Sequence, residues 1–191
     1  MEKMISMFLT LALLNHIVVN QFRGLSSLLV FSKNKKTIFQ VSILVAIILI
    51  LSSIITYTLY QYLLRPLEVE YLDLVVFTLV IIVITILVQN YIKTKNTSSY
   101  EHIGDQLTLM MLDSVILFIT LDNVAMNYSL VEVCISAVAV ATGFILFLIC
   151  FSHICDRLDH TAIPSAMKGV PISFVVAALI AIALNGLAGI A

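Results

Sequence analysis

Apolar runs long enough to cross a bilayer constrain this chain more than any other feature. A helix needs about 20 such residues to traverse the hydrocarbon core. Five segments supply them: residues 4–19, 38–64, 72–92, 130–151 and 170–190. A sixth, 107–121, is shorter and carries Asp113. Inside lipid every backbone polar group must be paired within the chain, which leaves helices or a closed barrel. Continuous runs of this length read as helices, so the expectation is an all-α integral membrane protein with six transmembrane helices. Composition agrees, with 61% hydrophobic and only 11% charged residues and a mean hydropathy of +1.12. Soluble domains carry about 25% charged residues. The 191 residues make one domain with no room for a soluble module beside the membrane part. The net charge of −1 says nothing about nucleic acid, and with no basic cluster beside it no nucleic-acid partner is expected.

Lys3 precedes the first apolar run, but Asn15, His16, Asn20 and Gln21 follow it where a signal peptide would have small residues. The run therefore reads as a retained first helix. Cys134, Cys150 and Cys155 lie in or near apolar helix and suggest no disulfide framework.

Basic residues set the orientation. With the N-terminus outside, the first, third and fifth connections face the cytoplasm and hold Arg23, Lys33, Lys35, Lys36, Lys93, Lys95, Arg157 and Lys168. Only Lys3 and Arg65 remain on the other side. Eight of the ten basic residues on one side is a clear positive-inside bias, and it places both termini outside the cytoplasmic membrane.

The first and fourth spans are interrupted. After Val19 the chain passes through Asn20-Gln21-Phe22-Arg23-Gly24-Leu25-Ser26-Ser27 before apolar sequence resumes at Leu28. The fourth opens after Gly104-Asp105-Gln106, meets Asp113-Ser114 near its middle and fades at Asp122-Asn123. The two breaks correspond if the chain is two three-helix halves, residues 1–92 and 100–191. An odd number of spans per half makes the halves inverted repeats, and matched breaks in such repeats point to a midplane site. A tight connection at Gly24 and an ordinary, polar fourth helix is the competing reading.

Several motifs resemble the A subunit of Rnf complexes. They are Leu14-Asn15-His16, Phe22-Arg23-Gly24-Leu25-Ser26, Phe31-Ser32-Lys33, Leu64-Arg65-Pro66-Leu67 and Glu70-Tyr71-Leu72, then Ala162-Ile163-Pro164, Lys168-Gly169 and the closing Gly186-Leu187-Ala188-Gly189. The E subunit of the sodium-pumping NADH:quinone reductase (Nqr) belongs to the same family. The resemblance runs through the whole chain in motif order. It implies a subunit of an ion-translocating electron-transport complex in a bacterial or archaeal cytoplasmic membrane, not an enzyme by itself. It also implies a homologous membrane partner of opposite topology, with FMN and iron–sulfur centres in flavin-bearing and ferredoxin-like partner subunits. Each of the paired membrane subunits would give two cysteines to one intramembrane 2Fe–2S cluster.

Here the sequence departs from the family. The cysteine of the Gly-Leu-Cys turn aligns with Ser26, and the Asn-Cys of the fourth helix aligns with Asp113-Ser114. Iron–sulfur clusters are held by thiolates, with histidine as the better-known substitute. A serine alkoxide is a harder ligand with a far higher pKa, so a cluster at the family position is not expected. The accompanying Asn-to-Asp difference points to natural divergence. A carboxylate at midspan costs about 2.5–3.5 kcal/mol on insertion scales, and such residues are functional by default. Ser26, Ser27, Asp113 and Ser114 could then form an oxygen-lined site for a proton or sodium ion. A protonated Asp113 hydrogen-bonded to a neighbouring helix is the structural alternative.

Glu132 and Asp122 read as solvated groups near the outer surface. His16 and Asn20 lie one turn apart and read as a polar contact between helices rather than metal ligands. Cys150 and Cys155 are about 140° apart around a helix, so with His153 they do not converge on one metal. No nucleophile–base pair and no phosphate loop is recognisable. Two rival functions stay open: a cluster-less paralogue carrying an ion or small solute, and a structural membrane scaffold. The topology has a direct test. Cysteines introduced as Lys35→Cys and Glu68→Cys should label from opposite sides of intact cells, and labelling from the same side would overturn the six-span arrangement.

Overall fold

The computed structural model describes residues 35–95, 114–159 and 167–188, with Phe8, Leu11 and Pro164 as isolated further positions. Among the described residues there are helices and no strand. Five α-helices follow one another within them: α1 Lys35–Leu59, α2 Asp73–Lys95, α3 Ser114–Ala125, α4 Leu130–Asp159 and α5 Val170–Ala188. They occupy the second to sixth expected spans. The first span lies outside the described residues, although Leu11 within it packs against the core. The stretches Ser42–Leu64, Glu70–Thr94 and Leu130–Leu158 are long and apolar enough to cross a membrane, and Ser114–Ala125 and Pro171–Ala183 are shorter apolar helices. The chain is thus an all-α, multi-pass membrane protein.

The packing is that of a protein in lipid. Large apolar side chains lie outside: Ile43, Ile47, Leu51 and Ile55 form an exposed stripe along α1, one turn apart. Leu74, Val75, Leu79, Val83 and Leu87 do the same along α2, the most lipid-exposed of the three long helices. Small polar side chains lie inside, among them Ser42, Ser52, Ser53, Thr56, Thr85, Thr120 and Ser136. Small and hydroxyl residues let helix backbones approach closely where no hydrophobic effect drives them together. The threonines satisfy themselves on their own helix: Thr56 Oγ1 donates to the Ser52 carbonyl at 2.6 Å, and Thr85 Oγ1 to the Ile81 carbonyl at 2.8 Å. The apolar core between these helices holds Val45, Ile48 and Leu49 of α1, Ile116 and Ile119 of α3, and Phe144, Phe147, Leu148 and Phe151 of α4.

The helix ends are closed by specific turns. α1 passes into a π-helical turn, Tyr60–Leu64, whose Arg65 N–H donates to the Tyr60 carbonyl at 3.0 Å. Glu68 then takes a positive φ of 54°, and Val69 N–H reaches the Leu64 carbonyl while Glu68 N–H reaches that of Arg65. This is a Schellman motif. A second one ends α3: Asn127 has φ 51°, Tyr128 N–H donates to the Asn123 carbonyl and Asn127 N–H to that of Val124. Before α5, Gly169 takes φ 87°, a conformation that only glycine adopts without strain.

Two expected boundaries are corrected. The fourth span does not fade at Asp122-Asn123; α3 continues to Ala125 with Asn123 buried. The fifth does not end at Phe151; α4 continues to Asp159. Its 30 residues extend about 45 Å at 1.5 Å each, beyond a core about 30 Å thick. The last turns therefore stand clear of the hydrocarbon, where Arg157 suits the negative end of the helix dipole.

Phe144 is wholly buried, whereas Leu79 is 58% exposed on α2. Phe144→Ala should destabilise the bundle by about 3–5 kcal/mol in equilibrium unfolding of the detergent-solubilised chain. Leu79→Ala should stay within about 0.5 kcal/mol of the parent.

Candidate functional site

Of the four residues expected at a midplane site, Ser26, Ser27 and Asp113 lie outside the described residues, as do Asn15, His16 and Asn20. Ser114 is placed: it is the first residue of α3 and is exposed. The 12 residues of α3 advance about 18 Å. Ser114 therefore lies about that far along the helix from the turn at Asn127.

A different polar site is fully described, at the end of the bundle where α1 and α3 terminate. A cavity of about 400 Å³ opens there between the two helix ends. The final turns of α1 contribute Tyr57, Tyr60, Gln61 and Arg65 to its wall. The end of α3, the link after it and the start of α4 contribute Asn123, Asn127, Tyr128, Ser129 and Glu132. The π-turn widens α1 at this point and sets Tyr60 edge-on against Phe77, with ring centroids 6.4 Å apart. Arg65 Nη1 donates to Gln61 Oε1 at 3.4 Å.

Asn123 is the unusual member. It is 1% exposed, yet among the described residues neither its Oδ1 nor its Nδ2 has a hydrogen-bond partner. Leaving a buried polar group unpaired costs about 1–3 kcal/mol. Ser52, Ser53 and Ser136 also have buried hydroxyl oxygens without a partner among the described residues.

Glu132 is not simply solvated, as the sequence led one to expect. Its Oε2 accepts hydrogen bonds from both the backbone N–H and the hydroxyl of Ser129, each at 2.9 Å. The Ser129 carbonyl meanwhile accepts from Val133 N–H. The carboxylate thus caps the start of α4 in the manner of a capping box and sits against the positive end of that helix. Asp122 is likewise half-buried and engaged. Burial raises the Tyr128 phenol above its ordinary value of 10.0, and the nearby Asp122 and Glu132 carboxylates push it the same way. Tyr128 is therefore a neutral hydroxyl at physiological pH.

Cys150 is exposed and Cys155 buried, on different sides of α4, and His153 Nδ1 lies 2.8 Å from the Ile149 carbonyl. Among the described residues no three His, Cys, Asp or Glu side chains gather as metal ligands.

This pocket was not anticipated from the sequence. Its signal lay in Asn127, a residue suited to a left-handed helix cap, followed at once by Ser129-Leu130-Val131-Glu132, a capping-box spacing. Together they mark a tight turn between two helices, which carries Asn123 one turn back into the interior.

Comparison with known proteins agrees along the full length. A family model described as "Rnf-Nqr subunit, membrane protein" matches residues 4–191. The chain is 33% identical over 175 residues to the A subunit of the Na(+)-translocating ferredoxin:NAD(+) oxidoreductase complex of Acetobacterium woodii, covering 92% of this chain and 91% of that one. It is 31% identical over 190 residues to the A subunit of the ion-translocating oxidoreductase complex of Glaesserella parasuis, covering 100% and 98%. The corresponding protein of Vibrio vulnificus is 29% identical over 190 residues, covering 100% and 99%. By its full-length match and by these relatives, the chain belongs to the Rnf-Nqr subunit family of membrane proteins.

Proposed function

We propose that this chain is the A-type membrane subunit of an ion-translocating electron-transport complex of a bacterial or archaeal cytoplasmic membrane. The observation that carries the reading is the family match over residues 4–191, with relatives named as A subunits that it covers almost end to end. The chain sits beside a homologous membrane protein of opposite topology and works with flavin-bearing and ferredoxin-like subunits, which carry the FMN and iron–sulfur centres. Both termini face outward.

The helix arrangement supports the inverted-repeat architecture behind this reading. Under a two-fold relation between residues 1–92 and 100–191, α1 of the first half corresponds to α4 of the second. Among the described residues these two helices pack on each other more extensively than any other pair, and the end of α1 shares a cavity with the start of α4, so they run in opposite directions, as mates about an axis in the membrane plane must. The orientation is supported by charge. Lys35 and Lys36 begin α1, Lys93 and Lys95 end α2 and Arg157 ends α4, all at the end of the bundle opposite Arg65.

The residues at the family's cluster position do not fit a 2Fe–2S cluster. Ser26 and Ser114 offer hydroxyl oxygens, while such clusters take thiolates. This chain therefore supplies no cysteine ligand there. In place of the cluster we propose an oxygen-lined ion or proton site of Ser26, Ser27, Asp113 and Ser114 at the level where α3 begins.

Two sets of variants test this. Ser26→Ala with Ser114→Ala should leave the iron content and redox spectrum of the isolated complex unchanged; loss of an iron–sulfur signal would make serine a ligand and overturn the cluster-free reading. Asp113→Asn keeps shape and hydrogen bonding but removes the ionisable group. It should assemble normally and reduce ion- or pH-dependent coupling at least tenfold, whereas unchanged coupling would leave Asp113 a structural residue.

A further inference from the structure

Among the described residues, the cavity at the ends of α1 and α3 has one guanidinium in its wall, that of Arg65, and one carboxylate, that of Glu132. We propose that it seats the headgroup of a zwitterionic phospholipid whose cation is a primary amine, as in phosphatidylethanolamine.

Depth brings the cavity to the headgroups. Lys35 and Lys36 open α1, and from Lys36 to Tyr57 the helix advances about 32 Å at 1.5 Å per residue. That is close to the hydrocarbon core of about 30 Å. The wall formed by Tyr57, Tyr60, Gln61 and Arg65 therefore begins where the hydrocarbon ends. Tyrosines mark the same level. Tyr57, Tyr60, Tyr62, Tyr71 and Tyr128, five of the chain's seven, gather at this end of the bundle. Tyr62 and Tyr71 are 77% and 78% exposed. Tyrosine favours this depth because its ring can lie in apolar surroundings while its hydroxyl stays wet. The rim also suits an amphiphile: exposed Met126, Leu130 and Val131 are interleaved with the wall residues Asn127, Ser129 and Glu132.

The headgroup follows from the charges and the donors they need. Arg65 Nη1 meets Gln61 Oε1 at 3.4 Å, longer than the 2.9–3.0 Å typical of an N–H···O bond. The guanidinium is therefore held weakly and can turn its fork to a phosphate, which it binds through two parallel hydrogen bonds. Glu132 stands on the other wall. Its Oε2 accepts from the backbone N–H and the hydroxyl of Ser129, which fixes the carboxylate before any ligand arrives. A carboxylate has lone pairs for further donors, and the side-chain oxygens of Gln61 and Asn127 add acceptors in the same wall. A primary ammonium brings three N–H donors to these groups. A trimethylammonium brings none, and an anionic headgroup would set its net charge against Glu132. A headgroup of no net charge thus matches a wall of one positive and one negative side chain. The volume of about 400 Å³ lies within the roughly 300–1,000 Å³ of small-ligand pockets. It admits a phosphate and a two-carbon amine with some water. Which leaflet supplies the lipid rests on the proposed orientation; headgroup binding does not.

Binding is read on the purified full-length chain, separately from any complex. The chain is stripped of lipid in detergent and equilibrated with equal amounts of phosphatidylethanolamine, phosphatidylcholine and phosphatidylglycerol of identical acyl chains, and the retained lipid is identified by mass spectrometry. Phosphatidylethanolamine should be enriched about tenfold over each of the others, the worth of one hydrogen bond between charged groups. Arg65→Gln should lower its retention by a similar factor. Glu132→Gln keeps the capping box, which glutamine also serves, so the start of α4 is preserved. With Arg65 then alone, that variant should reverse the preference and retain phosphatidylglycerol over phosphatidylethanolamine. Equal retention of the three lipids by the parent, or enrichment of either of the others, would overturn the proposal. So would a phosphatidylethanolamine preference that survives both substitutions. Glycerophosphoethanolamine, the headgroup without acyl chains, should compete only at far higher concentration; competition at the concentration of the lipid would make the ligand a soluble amine phosphate and overturn the lipid assignment.

Discussion

The antiparallel contact between α1 and α4 is the interaction on which the rest of the structure depends. Lipid is as apolar as leucine, so exposing an apolar face costs little and burying one gains little. The two helices must therefore be held by close fit. Val45, Ile48 and Leu49 on α1 share one buried core with Ala137, Ala141 and Phe144 on α4, and the small side chains of Ser52, Ser53 and Ser136 are buried on the same two helices, as close helix packing favours. α2 and α3 then pack onto α1, and α5 onto α4. The same contact would join the two proposed halves of the chain.

A consequence of packing with small polar residues is that polarity is concentrated inside. Most of it is neutralised locally by threonines bonding to their own helix. The exceptions are informative because a lipid-embedded protein has few ways to satisfy them. Asn123, Ser52, Ser53 and Ser136 hold polar atoms that nothing among the described residues pairs. Asn123 faces the cavity at the helix ends. Ser52 and Ser53 lie about 18–20 Å back along α1 from Arg65, near the depth of Ser114. Unpaired polar atoms are thus buried both near the helix ends and about 18–20 Å further along the bundle.

Much of this was legible in the amino-acid sequence. Residues 38–64 and 72–92 were read as spans, and α1 with its π-turn covers Lys35–Leu64 while α2 covers Asp73–Lys95. Long apolar runs flanked by lysines, prolines or acids leave little freedom. The boundaries that differ share a cause: a polar residue need not mark water. Asp122-Asn123 reads as the end of a membrane helix, yet Asn123 is buried and α3 continues past it to Ala125. The apolar run ends at Phe151, and Ser152, His153, Asp156 and Arg157 follow it. They remain helical because Cys155 and Leu158 still pack against the core. Hydropathy reports the edge of the hydrocarbon and cannot report a helix that runs beyond it. The pocket was invisible for another reason, since its two walls are contributed by segments more than 50 residues apart.

The full-length match places the chain in a family of redox-complex membrane subunits, while on the proposed alignment the hydroxyls of Ser26 and Ser114 stand where that family has thiolates. Whether such a chain still works within a redox complex is decided most directly by isolating it, tagged, from its native membranes in mild detergent and identifying what comes with it. The expected result is a second, homologous membrane protein together with flavin-bearing and ferredoxin-like polypeptides in comparable amounts. A chain that comes out alone, or only with copies of itself, would contradict its assignment to such a complex.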